Sequence, residues 1–129
     1  MEQNVIFEKV RQALISSCRL SSADIIPEKT LIEDLNIDSI DLIDLLYTLE
    51  KDFNISMKIS EFETYAKSAI GDKPFAINNI VTPEGLESLR KTMPEIPADK
   101  ITPGLSVAKI PYLLSVQSLC NIVEKKLQN

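Results

Sequence analysis

The chain has 129 residues, of which 44% are hydrophobic and 26% charged, enough for one modest core and expected to form a single domain over residues 1–129. It contains no histidine and no tryptophan, which removes Ser-His and Cys-His nucleophile schemes and the usual zinc sites; no metal ligand set is expected. Its net charge of −5 is unevenly spread. From Leu20 to Ile55 nine acids (Asp24, Glu28, Glu33, Asp34, Asp38, Asp41, Asp44, Glu50 and Asp52) face only Lys29 and Lys51, whereas from Ser56 onward eight acids meet nine bases. Such a field repels nucleic acid and anionic membranes and steers basic protein surfaces towards the acidic stretch.

No signal peptide, lipidation box or apolar run long enough to span a membrane is present, so a soluble, cytoplasmic protein with no membrane insertion is expected, acting as a monomer. Cys18 and Cys120 are far apart and each lies in an apolar helical setting, which points to buried thiols rather than a disulfide or a catalytic pair.

In chain order, Asn4 to Cys18 reads as a helix, with Val5, Ile6, Lys9, Val10, Ala13, Leu14 and Ser17 at the i, i+3, i+4 rhythm and Lys9 as a mismatch that can snorkel. Arg19 to Asn36 is a long connection whose apolar residues, Leu20, Ile25, Ile26, Leu31 and Leu35, are spaced as anchors. Asp38 then caps a second helix that Asn54 ends. Ile55 to Ile59 alternates weakly, as an extended segment would, and Glu61 to Ile70 has a helical pattern stopped by Gly71 and Pro74. After a loop holding Phe75, Ile77, Ile80 and Val81, Thr82-Pro83-Glu84-Gly85 is a helix start, and the helix runs to Met93 before Pro94. A short apolar stretch, Val107 to Leu114, is interrupted by Pro111, and Ser115 caps a last helix to about Leu127. The expectation is an all-α chain.

The second helix stands apart. At 100° per residue its apolar residues make two stripes. Leu42, Leu45, Leu46, Leu49 and Phe53 fall within roughly 100° of one another, enough to bury one side. Ile40, Ile43 and Tyr47 fall on a neighbouring arc of roughly 60°, with Ser39 close by and Asp41, Asp44 and Asp52 at the borders. Either another element covers that arc, or it is a docking surface ringed with negative charge. With no histidine to serve as base, Ser39 has no route to nucleophilic catalysis. As the substrate of another enzyme it is well placed, because a phosphoester on it would face the open amides of the helix N-terminus. A kinase product and a larger phosphate-linked group both suit that geometry.

The run Leu35-Asn36-Ile37-Asp38-Ser39-Ile40, followed by Asp41, Leu45, Leu49-Glu50 and Asp52-Phe53-Asn54-Ile55, resembles the acyl carrier protein family. The resemblance implies that Ser39 carries 4′-phosphopantetheine, added by a phosphopantetheinyl transferase using coenzyme A, with Asp38 as the acid of the modification motif. It further implies that Ile40, Ile43 and Tyr47 are apolar docking positions, and that Asp41, Asp44 and Glu50 meet basic patches on acyl-transferring or acyl-elongating enzymes. The protein would be a carrier and not an enzyme.

The resemblance covers Val5 to about Ile55 and resumes near Ile110 to Leu127, where Ile110-Pro111-Tyr112-Leu113-Leu114-Ser115-Val116 is similar to the short third helix and the start of the fourth. The implied fold is a four-helix acyl-carrier-like bundle with a helical insertion of about 50 residues, 56–109, between the second and third helices. Thr82 to Leu89 with Met93-Pro94 is similar to the enlarged region of specialised carriers, including those for the long acyl groups of lipid A. Met57, Phe62, Phe75, Ile80, Met93, Tyr112 and Leu114 are candidates to line an enlarged acyl space or to serve as plain core. The insertion would either deepen that space or form an extra partner surface. The alternative from another class is a non-enzymatic helical adaptor regulated by phosphorylation at Ser39.

Overall fold

The computed structural model describes residues 2–58, 64–65 and 70–128. They separate into two compact units, one formed by Met1–Lys58 with Leu114–Asn129, the other by Ile59–Leu113.

The first unit contains α1 (Gln3–Cys18) and α2 (Ser39–Phe53), together with the last helix of the chain, Val116–Leu127. α1 buries Ile6, Val10, Ala13 and Leu14 and packs against both of the others. Val5 stays exposed, and the mismatched Lys9 lays its ammonium 5.5 Å from the centre of the Phe53 ring. The long connection is pinned by main chain and anchors together. Leu31 N–H donates to Leu114 O at 2.9 Å, Val116 N–H to Lys29 O at 3.0 Å and Gln117 N–H to Pro27 O at 3.0 Å. A reciprocal pair, Thr30 N–H to Asp34 Oδ2 and Asp34 N–H to Thr30 Oγ1, closes the turn between them. Of the expected anchors, Ile25, Leu31 and Leu35 are buried, Leu20 is half-buried and Ile26 is exposed; Ile37, outside that pattern, is buried as well. The connection therefore delivers Asp38 to a fixed place despite its length.

The second unit contains β1 (Ala76–Ile77) and β2 (Ile80–Val81), an antiparallel hairpin whose turn residues Asn78 and Asn79 both have positive φ, 53° and 68°. Asparagine tolerates that region, and two such residues fit the twist of a two-residue hairpin. On its other side β2 bonds the segment 105–107, through Val81 N–H to Leu105 O at 2.9 Å and Val107 N–H to Asn79 O at 2.8 Å. α3 (Pro83–Thr92) follows, capped as expected: Thr82 Oγ1 accepts Gly85 N–H at 3.0 Å. The same hydroxyl lies 2.8 Å from Pro74 O, to which it donates, so the cap also ties the helix to the hairpin. Leu86, Leu89, Met93, Ile96, Ile101 and Ile110 are buried. Ala98–Lys100 and Val107–Leu113 are 3-10 helices, the second carrying Pro111. Val116–Leu127 is α4; its first turn has a capping box in which Ser115 Oγ accepts Ser118 N–H and Ser118 Oγ accepts Ser115 N–H.

Two fold expectations are corrected. The chain is not all-α: the stretch Phe75 to Val81 forms a hairpin, so the insertion between the second and third helices is not purely helical. Nor is the short third helix an α-helix, since the tight 3-10 turn of Val107–Leu113 takes its place, as Pro111 lacks the amide an α-helix would use. The result is a helix-dominated bundle with a hairpin-bearing insertion. Ile55 to Lys58 forms no regular element, and most of the helix expected over Glu61 to Ile70 lies outside the described residues; Thr64 and Tyr65 are helical.

Candidate functional site

α2 separates its two apolar stripes by burial. Leu42, Leu45, Leu46, Leu49 and Phe53 are all buried, whereas Ile40 is 76% exposed and Ile43 and Tyr47 each 59%. Each side chain left in water forgoes part of the roughly 1.5–3 kcal/mol that full burial would contribute. Three of them in one arc make a surface suited to being covered by something else.

Ser39 is exposed and is the first residue of α2. Asp38, in extended conformation, is the N-cap: its Oδ1 accepts Asp41 N–H at 2.8 Å. That bond takes one of the first-turn amides and leaves those of Ser39 and Ile40, which have no acceptor within the helix, at its positive end. A phosphodiester on Ser39 Oγ would sit beside them with open space outward, so the residues present fit a phosphate-linked group.

Asp44 is exposed and Asp41 half-buried; at 100° per residue Asp44 borders the arc and Asp41 lies further round, between it and the buried stripe. Glu50 is half-buried, and its Oε2 accepts Met57 N–H at 3.1 Å, so this carboxylate holds the exit loop of α2. Met57 is buried behind it. Sequence reasoning passed over Lys51, whose ammonium stands 5.3 Å from the centre of the Tyr47 ring; the i, i+4 spacing was the available signal. Also unforeseen is the bond between Ser17 Oγ and Thr48 Oγ1, 2.9 Å apart, which links α1 to the polar side of α2.

Of the residues considered for an acyl space, Met57, Phe75, Met93 and Leu114 are buried, Ile80 and Tyr112 are exposed, and Phe62 lies outside the described residues. Neither cysteine is in a disulfide. Burial, with Asp41, Asp44 and Asp38 nearby, pushes the Cys18 thiol up to about 11, and burial pushes Cys120 up to about 12. Each unit of rise cuts the thiolate tenfold, so at pH 8 Cys18 is expected to react with iodoacetamide roughly a hundredfold more slowly in the folded protein than in the unfolded chain. Equal rates before and after denaturant would contradict that environment. The folded state holds these protons more tightly, so the contribution is complete below pH 9 and is lost as pH rises towards 11 and 12.

Comparison with known proteins bears on the same surface. A family model described as a phosphopantetheine attachment site matches residues 8–68, which include all of α2. An acyl carrier protein of Clostridium acetobutylicum is 34% identical over 68 residues, 53% of this chain and 86% of that protein. One of Thermosynechococcus vestitus is 33% identical over 63 residues, 49% of this chain and 78% of the relative. Acyl carrier protein AcpXL of Rhizobium etli is 32% identical over 56 residues, 43% of this chain and 61% of the relative. No solved structure matches significantly. Among the described residues no helix is long and apolar enough to cross a membrane. With most of two acyl carrier proteins matched at about a third identity and the attachment-site model lying across its second helix, the chain belongs to the acyl carrier protein family, as a phosphopantetheine carrier of lipid metabolism and not an enzyme.

Proposed function

We propose that Ser39 is the attachment point of 4′-phosphopantetheine and that α2 is the face partner enzymes grip. The observation that carries this reading is an exposed hydroxyl on the first residue of α2, beside an exposed apolar arc with acids on its rim. Asp38 fixes the first turn, so that the Ser39 hydroxyl is presented at one place and angle. Ile40, Ile43 and Tyr47 supply the apolar contact, and Asp41 and Asp44 the charge that steers basic surfaces. Glu50 contributes its charge to the same rim while holding the exit loop.

When bound, phosphopantetheine supplies the thiol that carries an acyl group as a thioester. The tether raises the concentration of that group at whichever enzyme docks. The partners of this reading are a phosphopantetheinyl transferase and the acyl-transferring or acyl-elongating enzymes of fatty acid or specialised lipid biosynthesis, met in the cytoplasm by a monomeric carrier. Its narrower version is a carrier of long acyl chains such as those of lipid A, with the insertion 56–109 either serving the acyl chain or adding a partner surface. The exposure of Ile80 and Tyr112 favours a surface role for those two residues. A structure with a long acyl group that no residue of the insertion approaches would remove the first option.

The test is incubation with coenzyme A and a broad phosphopantetheinyl transferase, followed by intact mass. One phosphopantetheine per chain, mapped to Ser39, is expected. A chain that takes only phosphate there, from a kinase, would instead be the regulated adaptor.

A further inference from the structure

The exposed face of α2 carries both signs of charge. At 100° per residue Asp44 and Lys51 border the same side of the Ile40, Ile43 and Tyr47 arc, seven residues and roughly 10 Å apart along the axis. Glu50 borders the other side, but its carboxylate is turned to the Met57 amide at 3.1 Å. Lys51 is exposed, with its ammonium over the half of the arc that Tyr47 supplies, 5.3 Å from the ring centre. An exposed cation–aromatic pair is weakly favourable, enough to bias the ammonium towards that position. The start of the strip is therefore bordered by carboxylates, whereas beside Tyr47 the nearest charge is a cation seated on the ring, with Glu50 turned to Met57 and the exposed Asp52 further round the helix on the far side of Lys51.

A uniformly basic partner would meet attraction at Asp41 and Asp44 and repulsion at Lys51. Specificity of this kind needs the repulsive element as much as the attractive one. Building on the carrier reading, we infer that α2 docks against protein surfaces of mixed sign. Such a surface has basic residues opposite Asp41 and Asp44, an apolar recess for Ile43 and Tyr47, and a carboxylate opposite Lys51. Lys51 is then a specificity residue that admits partners bearing that acid and disfavours those without it.

The probe is the phosphopantetheinyl transferase of the organism the chain comes from, with coenzyme A, and the readout is kcat/KM for mass gain at Ser39. Lys51→Glu is expected to lower kcat/KM roughly tenfold at low salt, through KM, with the loss shrinking as salt is raised. Lys51→Met keeps an aliphatic stem beside Tyr47 and should lose less. Reversing one acid on the transferase docking surface should restore Lys51→Glu. Because Lys51 is exposed, both variants should keep the wild-type helical spectrum. Lys51→Glu loading as fast as wild type, or no slower than Lys51→Met, overturns the inference, as does a loss that salt leaves untouched. These results leave the carrier reading standing, since excess transferase would still load every variant. A wild-type chain that takes no mass sinks both.

Discussion

Ser39→Ala is expected to take up no phosphopantetheine under conditions that load the wild type to completion, and to keep its fold. The loss should be total because, among the described residues, no other exposed hydroxyl stands on the first turn of a helix beside an exposed apolar arc. The thiols of Cys18 and Cys120 are held protonated by burial, and neither opens onto a helix N-terminus beside an apolar arc. The fold should survive because the cap of α2 is Asp38, not Ser39. An exposed serine changed to alanine, away from any cap bond, usually moves stability by no more than about 0.5 kcal/mol. Intact mass and the far-ultraviolet circular dichroism of the same sample check both halves. Loading of the alanine chain at any other residue would move the attachment point and end the present assignment.

The largest effect on stability is expected at Gly85, in the second unit. Its φ is ordinary, so alanine could take up the backbone conformation, and in a helix alanine is favoured over glycine by about 1 kcal/mol. Space decides the other way. A Cβ there would lie 2.3 Å from Phe75 O and 2.7 Å from Val81 Cγ1. Phe75 O cannot simply retreat, because it accepts Thr82 N–H at 2.9 Å and lies 3.0 Å from the Thr82 hydroxyl that caps α3. Relieving the clash means pulling the hairpin from the helix or breaking the cap, and overpacking of this kind costs about 1–3 kcal/mol, occasionally more. Gly85→Ala should therefore be destabilised in urea despite its better helix propensity. An unchanged or raised midpoint would show that the hairpin and α3 are not in this close contact.

The one bound that neither variant touches is where the insertion starts and stops. The resemblance puts it at 56–109; by contacts the compact second unit runs Ile59–Leu113, and Met57 belongs with the first unit, where Glu50 holds its amide. A boundary of this sort depends on which side chains meet across the chain, and local pattern carries no record of it.

The amino-acid sequence alone determined what rests on neighbours a few residues apart. The two stripes of α2, its cap at Asp38 and its end at Asn54, the Thr82 and Ser115 caps, and the serine beside the exposed arc all follow from spacing within one or two helical turns. Tertiary structure decided the rest. Two-residue strands are too short for a period of two to register, and the Asn78-Asn79 turn makes a hairpin only because the strands close on each other and on 105–107. Glu50 reads as one more acid on the rim until the chain returns Met57 to it. Which large apolar residues after α2 go inside and which remain in water was likewise settled by contacts distant in sequence, because burial is a property of the partner that covers a side chain as much as of the side chain itself.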